Sequence, residues 1–227
     1  MITQFDNFQS NSTIQDQLEI DHTIEEYLGT YEKKMVVFEN NWTGTYFNDS
    51  TSQSAKPFLT NIGQLIGEQV DVEHFPIHSK ENLNYFLKNP GVLWDSPKSW
   101  GVSVWYFGIH GISEGLQLPP DIVTKDEIIE MCTEFRDFPN ILFFSSCSLF
   151  EDDAFGRELL ETSGSRGILG YKEKVPFSIG TIIDLLFLSS FFLYNFGDPF
   201  KNLEGIYDGV IDTLPVASEY GLTLYCY

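Results

Sequence analysis

The chain has 227 residues, with 13 Lys and Arg against 33 Asp and Glu, a formal net charge of −20. Clustered cations that would displace counterions from phosphate are missing from such a composition, which argues against nucleic acid and anionic membrane surfaces as partners. With 42% hydrophobic and 15% aromatic residues the chain can bury enough apolar area to offset its conformational entropy, so wholesale disorder is excluded.

At about 150 residues per domain the length suits one large domain with an appendage. Residues 1–33 are rich in Gln, Asn, Asp and Glu and read as an acidic, polar N-terminal segment, and the folded domain is expected over 34–227. Met1 to Asn11 lacks the basic start and apolar run of a secretory leader, which points to the cytoplasm. Cys132, Cys147 and Cys226 are few and odd in number, as reduced thiols would be. The N-x-S/T triplets at Asn11, Asn41 and Asn48 are then chance matches.

From Lys34 onward apolar runs alternate with helical patterns, the signature of an α/β protein. Met35 to Glu39 is a short continuous apolar run, as expected of a strand covered on both faces. Phe58, Ile62, Leu65 and Ile66 recur at helical spacing. Val70 to Ile77 reads as a second strand, and Ser79 can cap a helix through Leu87 that Gly91 closes. Trp100 to Ile109 is a third strand and runs straight into His110-Gly111. Gly115 to Pro120 is a small hairpin excursion, and Thr124 with Glu127 forms a capping box for a helix through Phe135. Asn140 to Phe144 is a fourth strand ending in Ser145-Ser146-Cys147, followed by a helix from Asp152 or Asp153 through Leu160. Gly167 to Tyr171 is a fifth strand, Phe177 to Phe196 an apolar helix, and Leu222 to Tyr227 a terminal strand. The apolar helix approaches the length of a membrane span, but Asp184 within it would be costly in hydrocarbon, so it is read as a core helix and no membrane anchor is assigned.

In open α/β sheets the functional groups gather beyond the carboxyl ends of the strands, and His110 and Cys147 both fall there. An imidazole can lower the pKa of a nearby thiol and later protonate a leaving group, so the two form a minimal set for acyl transfer. Their separation of 37 positions fits adjacent parallel strands joined by a crossover. Residue types alone leave open an inert buried thiol beside a hydrogen-bonded strand-end histidine. His74 and His78 are four apart, but the intervening Phe75-Pro76-Ile77 breaks a helix and no ligand set accompanies them, so no metal site is expected. No phosphate-binding glycine loop is present, and no cofactor is expected.

The stretches WYFGIHG (Trp105 to Gly111), ILFFSSC (Ile141 to Cys147) and GRELLETSGSRGILGY (Gly156 to Tyr171) together resemble the caspase-like clan of cysteine peptidases, and within it the bacterial CHAT branch. The resemblance runs from about Lys34 to Val175. It implies a caspase-like three-layer sandwich with a mostly parallel central sheet flanked by helices. It further implies His110 as general base and acid, Cys147 as nucleophile, and the backbone N–H groups of Gly111 and Cys147 as oxyanion donors in hydrolysis of a peptide bond through a thioester.

The chain departs from the clan's specificity patterns. Ser145-Ser146 precede the cysteine and Ser148-Leu149 follow it, where Asp-specific members carry Gln-Ala and Arg-Gly and metacaspases place an Asp two residues before the cysteine. By position the primary pocket would be lined by Asn40, Asn41, Trp42, Ser145, Lys172 and Glu173. Glu173 and the net charge suit a basic peptide substrate, while a solubilising acidic surface accounts for the charge equally well. The resemblance also implies a regulated bacterial effector, awaiting an activating partner protein or small-molecule signal. The alternative is a catalytically silent caspase-like binding or assembly protein.

Overall fold

The computed structural model describes residues 32–40, 54–89, 100–133, 141–194 and 202–227. Among them the elements are β1 (Glu32–Glu39), α1 (Lys56–Leu59), α2 (Ile62–Ile66), β2 (Val70–Pro76), α3 (Lys80–Lys88), β3 (Trp100–Gly108), β4 (Gly111–Ile112), β5 (Gly115–Leu118), β6 (Asp121–Thr124), α4 (Lys125–Thr133), β7 (Ile141–Phe144), α5 (Asp153–Ser163), β8 (Gly167–Tyr171), α6 (Phe177–Leu193), α7 (Leu203–Thr213), α8 (Val216–Glu219) and β9 (Leu222–Cys226). The readings that involve residues 1–31, Asn41, Trp42, Gly91, Phe135, Asn140 and Phe196 lie outside the described residues.

The central sheet has the order β2-β1-β3-β7-β8-β9. Five of its strands are parallel, and β9 closes one edge antiparallel to β8. Parallel strands need cover on both faces, which explains why β7 (ILFF) and β8 (GILGY) are buried at every position. The alternation of side chains then divides the core into two. Phe38, Trp105, Phe107, Leu142 and Phe144 face α3, α4 and α5. Met35, Val37, Val104, Tyr106, Phe143, Leu169 and Tyr171 face α1, α2, α6 and α7. The result is a three-layer α/β sandwich, the α/β alternation being what the sequence pattern predicts and the three layers what the resemblance implies.

Local chemistry sets the ends of several elements as expected. The Ser79 Oγ accepts the Asn82 N–H at 3.2 Å and starts α3. Thr124 N–H donates to Glu127 Oε2 at 3.0 Å while Glu127 N–H donates to Thr124 Oγ1 at 3.3 Å, a reciprocal capping box at α4. The Asp152 carboxylate caps α5 through the Ala154 N–H at 2.9 Å.

Three features differ from the sequence reading. The first strand begins at Glu32, because Lys33 and Lys34 extend its ladder to β2 and pair with Glu68, Asp71 and Glu73. The single helix expected around Phe58 to Ile66 is two short ones, broken at Thr60-Asn61, so that Phe58 and Leu65 end on the surface. The helices α7 and α8, which the sequence reading passed over, precede β9 and pack Leu203, Ile206, Val210 and Ala217 onto the α6 side of the sheet.

The small residues of the Gly156 to Tyr171 stretch make room for rings. A methyl group at Gly170 would lie 2.1 Å from the Phe150 ring, and one at Gly156 would lie 2.2 Å from that of Tyr225.

Candidate active site

Three strand exits converge. β3 and β7 are adjacent and parallel, with Phe107 opposite Phe144, so the chain leaves both strands at the same end of the sheet. After β3 it passes Ile109 to His110 and Gly111; after β7 it passes Ser145 and Ser146 to Cys147. The crossover between them carries the β4-β5-β6 sheet as well as the expected helix α4. β8, the next strand over, exits through Lys172 to Val175.

The exits touch through the backbone. A Cβ on Gly111 would lie 2.4 Å from the Cys147 carbonyl oxygen and 2.9 Å from the Cys147 nitrogen. Only glycine admits so close a crossing, and it brings the His110-Gly111 segment directly against the Ser146–Cys147 peptide. The Ser146 hydroxyl fixes the crossing from beneath, donating to the Ile109 carbonyl at 2.6 Å. Past the cysteine, Ser148 adopts φ 56°, a left-handed conformation that costs a residue with a side chain, and its N–H reaches the Glu173 carbonyl at 3.2 Å.

Cys147 is buried, 7% exposed. Its Sγ accepts the Val175 N–H at 3.4 Å and lies 3.5 Å from the Val175 carbonyl, to which it donates. His110 is more open. Partial burial nevertheless lowers its pKa from the ordinary imidazole value, and the positive charge of Lys174 lowers it further. The β8 exit therefore reaches both predicted site residues, Cys147 through Val175 and His110 through Lys174.

The remaining predicted pocket residues are distributed unevenly. Asn40 closes the end of β1 with its N–H on the Gly108 carbonyl at 3.0 Å and its side-chain amide on the Ile77 carbonyl at 2.6 Å. Glu173 carries an exposed side chain on the β8 exit. Lys172 turns away to an ion pair with Asp153 at 2.6 Å. Ser145 is buried, with its hydroxyl donated to Asp184 Oδ2 at 2.6 Å.

Asp184 is the residue that sequence reasoning used only to reject a membrane span. It comes from the middle of α6 and is 1% exposed. Oδ2 also accepts the Tyr106 hydroxyl at 2.7 Å, and Oδ1 accepts the Tyr171 hydroxyl at 2.6 Å. Burial pushes its pKa up to about 6, against the three hydroxyl donors, which pull it down. The same burial, then the charge of Asp184, raises both tyrosines well above their ordinary value. Its sequence signals were a lone carboxylate in an apolar helix and tyrosines at inward strand positions where the opposite face uses phenylalanine.

His74 lies on β2 and shares the buried Glu39 carboxylate, at 2.8 Å, with Ser54 and the Ala55 N–H. Among the described residues no group of three or more His, Cys, Asp or Glu is arranged to hold a metal ion. No described helix is long and apolar enough to cross a membrane.

The fold is caspase-like: a mostly parallel six-stranded sheet between helical layers. Among solved structures it is similar to that of a secreted C11 cysteine protease from Bacteroides thetaiotaomicron, determined in complex with an irreversible peptide inhibitor. The match has a TM-score of 0.54 at 10% sequence identity and covers 86% of this chain. The chain spans 66% of the length of that protein. No protein-family model matches the sequence, and no curated protein does.

Proposed function

We propose that this protein is a cysteine endopeptidase of the CHAT type, acting through a His110–Cys147 dyad. The observation that carries the reading is the crossing of Gly111 with the Ser146–Cys147 peptide, which sets a histidine-bearing and a cysteine-bearing strand exit against each other. The caspase-like fold, shared with a cysteine protease, adds to it.

In the reaction, neutral His110 takes the thiol proton of Cys147, and the sulfur attacks the scissile carbonyl carbon. The lowered imidazole pKa favours the neutral form that this step needs. The carbonyl oxygen becomes an oxyanion and accepts the backbone N–H groups of Gly111 and Cys147. Collapse expels the amine, which receives the proton from His110 and leaves a thioester. A water deprotonated by His110 then attacks the thioester and releases the acid and the free thiol.

The substrate in this proposal is a protein or peptide with a basic side chain. The charge of −20 and the exposed Glu173 on the β8 exit support that choice. The thiol engaged by the Val175 backbone suits a latent enzyme, and so the proposal includes an activating partner protein or small-molecule signal, as in a cytoplasmic bacterial effector of defence or cell death. The catalytically silent reading draws on the same thiol engagement.

A panel of fluorogenic peptides ending in basic, acidic, apolar or small residues separates these readings, assayed with wild type and Cys147→Ala. Hydrolysis after Lys or Arg, weak in the resting protein, raised by bacterial cell lysate and lost in Cys147→Ala, is expected. Absence of hydrolysis across the panel, together with absence of labelling of Cys147 by a peptidyl thiol-reactive probe, both alone and in bacterial cell lysate, would favour the silent scaffold.

A further inference from the structure

We propose that Asp184 is a positioning residue of the cysteine site: its carboxylate gathers the hydroxyls of Ser145, Tyr106 and Tyr171 and so fixes the exit of the Cys147 strand against the exit that brings Val175 onto the thiol. The inference rests on the reading of Cys147 as the reactive group.

The need for such a grip follows from the ladder. The last paired residue of β7 is Phe144, opposite Gly170 of β8, so Ser145, Ser146 and Cys147 lie past the sheet's ladder. Three successive side chains replace it. Ser145 bonds Asp184 at 2.6 Å, Ser146 bonds the Ile109 carbonyl at 2.6 Å, and Cys147 meets Val175 at 3.4 Å. The exit of the nucleophile strand is thus tied to α6, to the β3 exit and to the β8 exit in turn.

The same carboxylate defines both ends of the segment that covers the thiol. Tyr171, the last residue of β8, donates to Oδ1 of Asp184 at 2.6 Å, and Asp184 itself belongs to α6, which opens at Phe177. Val175 lies on the short chain between these two fixed points, with its methyl groups 3.4 and 3.5 Å from where a Cβ of Gly180 would stand. A carboxylate in such a place is not explained by stability, because taking it from water costs several kcal/mol that a packed apolar side chain would avoid. Tyr106 and Tyr171 likewise present hydroxyls where the other face of the sheet packs Phe107, Phe144 and Phe150.

The arrangement couples the site to pH. The titratable groups around Asp184 are Tyr106 from β3, Tyr171 from β8, Glu39 at the end of β1 acting on Tyr106, and Cys147 beyond β7 acting on Tyr171. Ionised Asp184 accepts from all three hydroxyls. Once protonated it must also donate, and Tyr171, whose hydroxyl lies 3.5 Å from the Gly180 carbonyl, has an alternative acceptor to turn to. The grip on the β8 exit then loosens near pH 6.

The test is the rate of iodoacetamide alkylation of each cysteine from pH 5 to 9, read by mass spectrometry in wild type, Asp184→Asn and Ser145→Ala. Cys132, fully buried in α4, reports global opening in the same molecule. Release of the grip uncovers the thiol, so both variants are expected to alkylate Cys147 about tenfold faster at pH 8, the equivalent of one charge-assisted hydrogen bond, with Cys132 unchanged. Wild type is expected to show an inflection in the Cys147 rate near pH 6, after normalisation to its thiolate fraction, that Asp184→Asn lacks. Should Asp184→Asn not fold, Ser145→Ala decides by its rate at pH 8. The inference is overturned if Cys147 reacts at the wild-type rate or more slowly in the folded variants, or if Cys147 and Cys132 speed up together. The readout needs no peptide: failure of the peptidase reading appears as absent hydrolysis by wild type both alone and in bacterial cell lysate, whatever the alkylation rates show.

Discussion

The two faces of the central sheet are built from alternate residues of the same strands, yet they differ in chemistry. The face toward α3, α4 and α5 is an aromatic stack: Phe107 and Phe144 lie with ring centroids 4.5 Å apart and 8° between planes, and Phe38 adds a further ring at 5.1 Å. The face toward α6 is inlaid near the strand exits with Glu39, Tyr106, Ser145, Tyr171 and Asp184, all buried. One face gains mainly from apolar burial; on the other each of these polar side chains has a hydrogen-bond partner. The cysteine lies at the exit of the second. The difference teaches that both faces supply apolar burial, while the buried polar network beside the candidate chemistry belongs to one of them, one residue apart along each strand.

Mutations can break or sharpen that division. The largest expected effect is on chemistry: His110→Ala should lower peptide hydrolysis by about 10²–10⁴-fold with the unfolding midpoint nearly unchanged, measured by steady-state kinetics beside urea denaturation. On the opposite face, Phe38→Ala should cost about 3–5 kcal/mol in urea unfolding while the folded fraction keeps the wild-type Cys147 alkylation rate. An altered Cys147 rate in that folded fraction would show that the faces are not independent.

The third effect is a pH slope. Asp184 has a folded pKa of about 6 against an ordinary 3.8, so folding favours its protonated form. Its contribution is fully present below pH 3.8 and is lost as pH rises through about 6, a change on the order of 3 kcal/mol. The stability difference between wild type and Asp184→Asn, followed by urea titration from pH 3.5 to 7.5, should therefore fall with pH over that window and be flat above it. A difference that rises with pH would show Asp184 to be stabilised as the carboxylate.

Smaller effects test the edges of the comparison. Gly111→Ala places a methyl group against the Cys147 backbone and should cost about 1–3 kcal/mol, with the Cys147 alkylation rate changed and that of Cys132 unchanged. The smallest expected change is at the capping box of α4, on the aromatic side: Thr124→Ala should cost about 1 kcal/mol and leave both cysteine rates alone.

Much of the frame was legible in the sequence because it is written in local patterns. Continuous apolar runs marked the parallel strands, and Ser79, Thr124 with Glu127, and Asp152 marked helix starts through side chains that reach only two or three residues away. The adjacency of the strands ending in His110 and Cys147 was expected from their spacing and is observed. Helices α7 and α8 escaped notice because their apolar positions face a partner, the α6 side of the sheet, that only the fold supplies. The break between α1 and α2 was hidden for the opposite reason, since Phe58 and Leu65 keep helical spacing while exposed.

By itself the sequence determined the α/β alternation, the strands that end in His110-Gly111 and Ser145-Ser146-Cys147, and the acidic surface, since each follows from residue type and near neighbours. The tertiary structure alone decided what surrounds the thiol. Val175 lies 28 positions after Cys147, and Asp184 lies 78 from Tyr106, 39 from Ser145 and 13 from Tyr171. A carboxylate in an apolar helix has no local pattern to declare its purpose. Its meaning comes from three hydroxyls, two on strands and one just past a third, which meet only when the sheet has formed and α6 has docked on it.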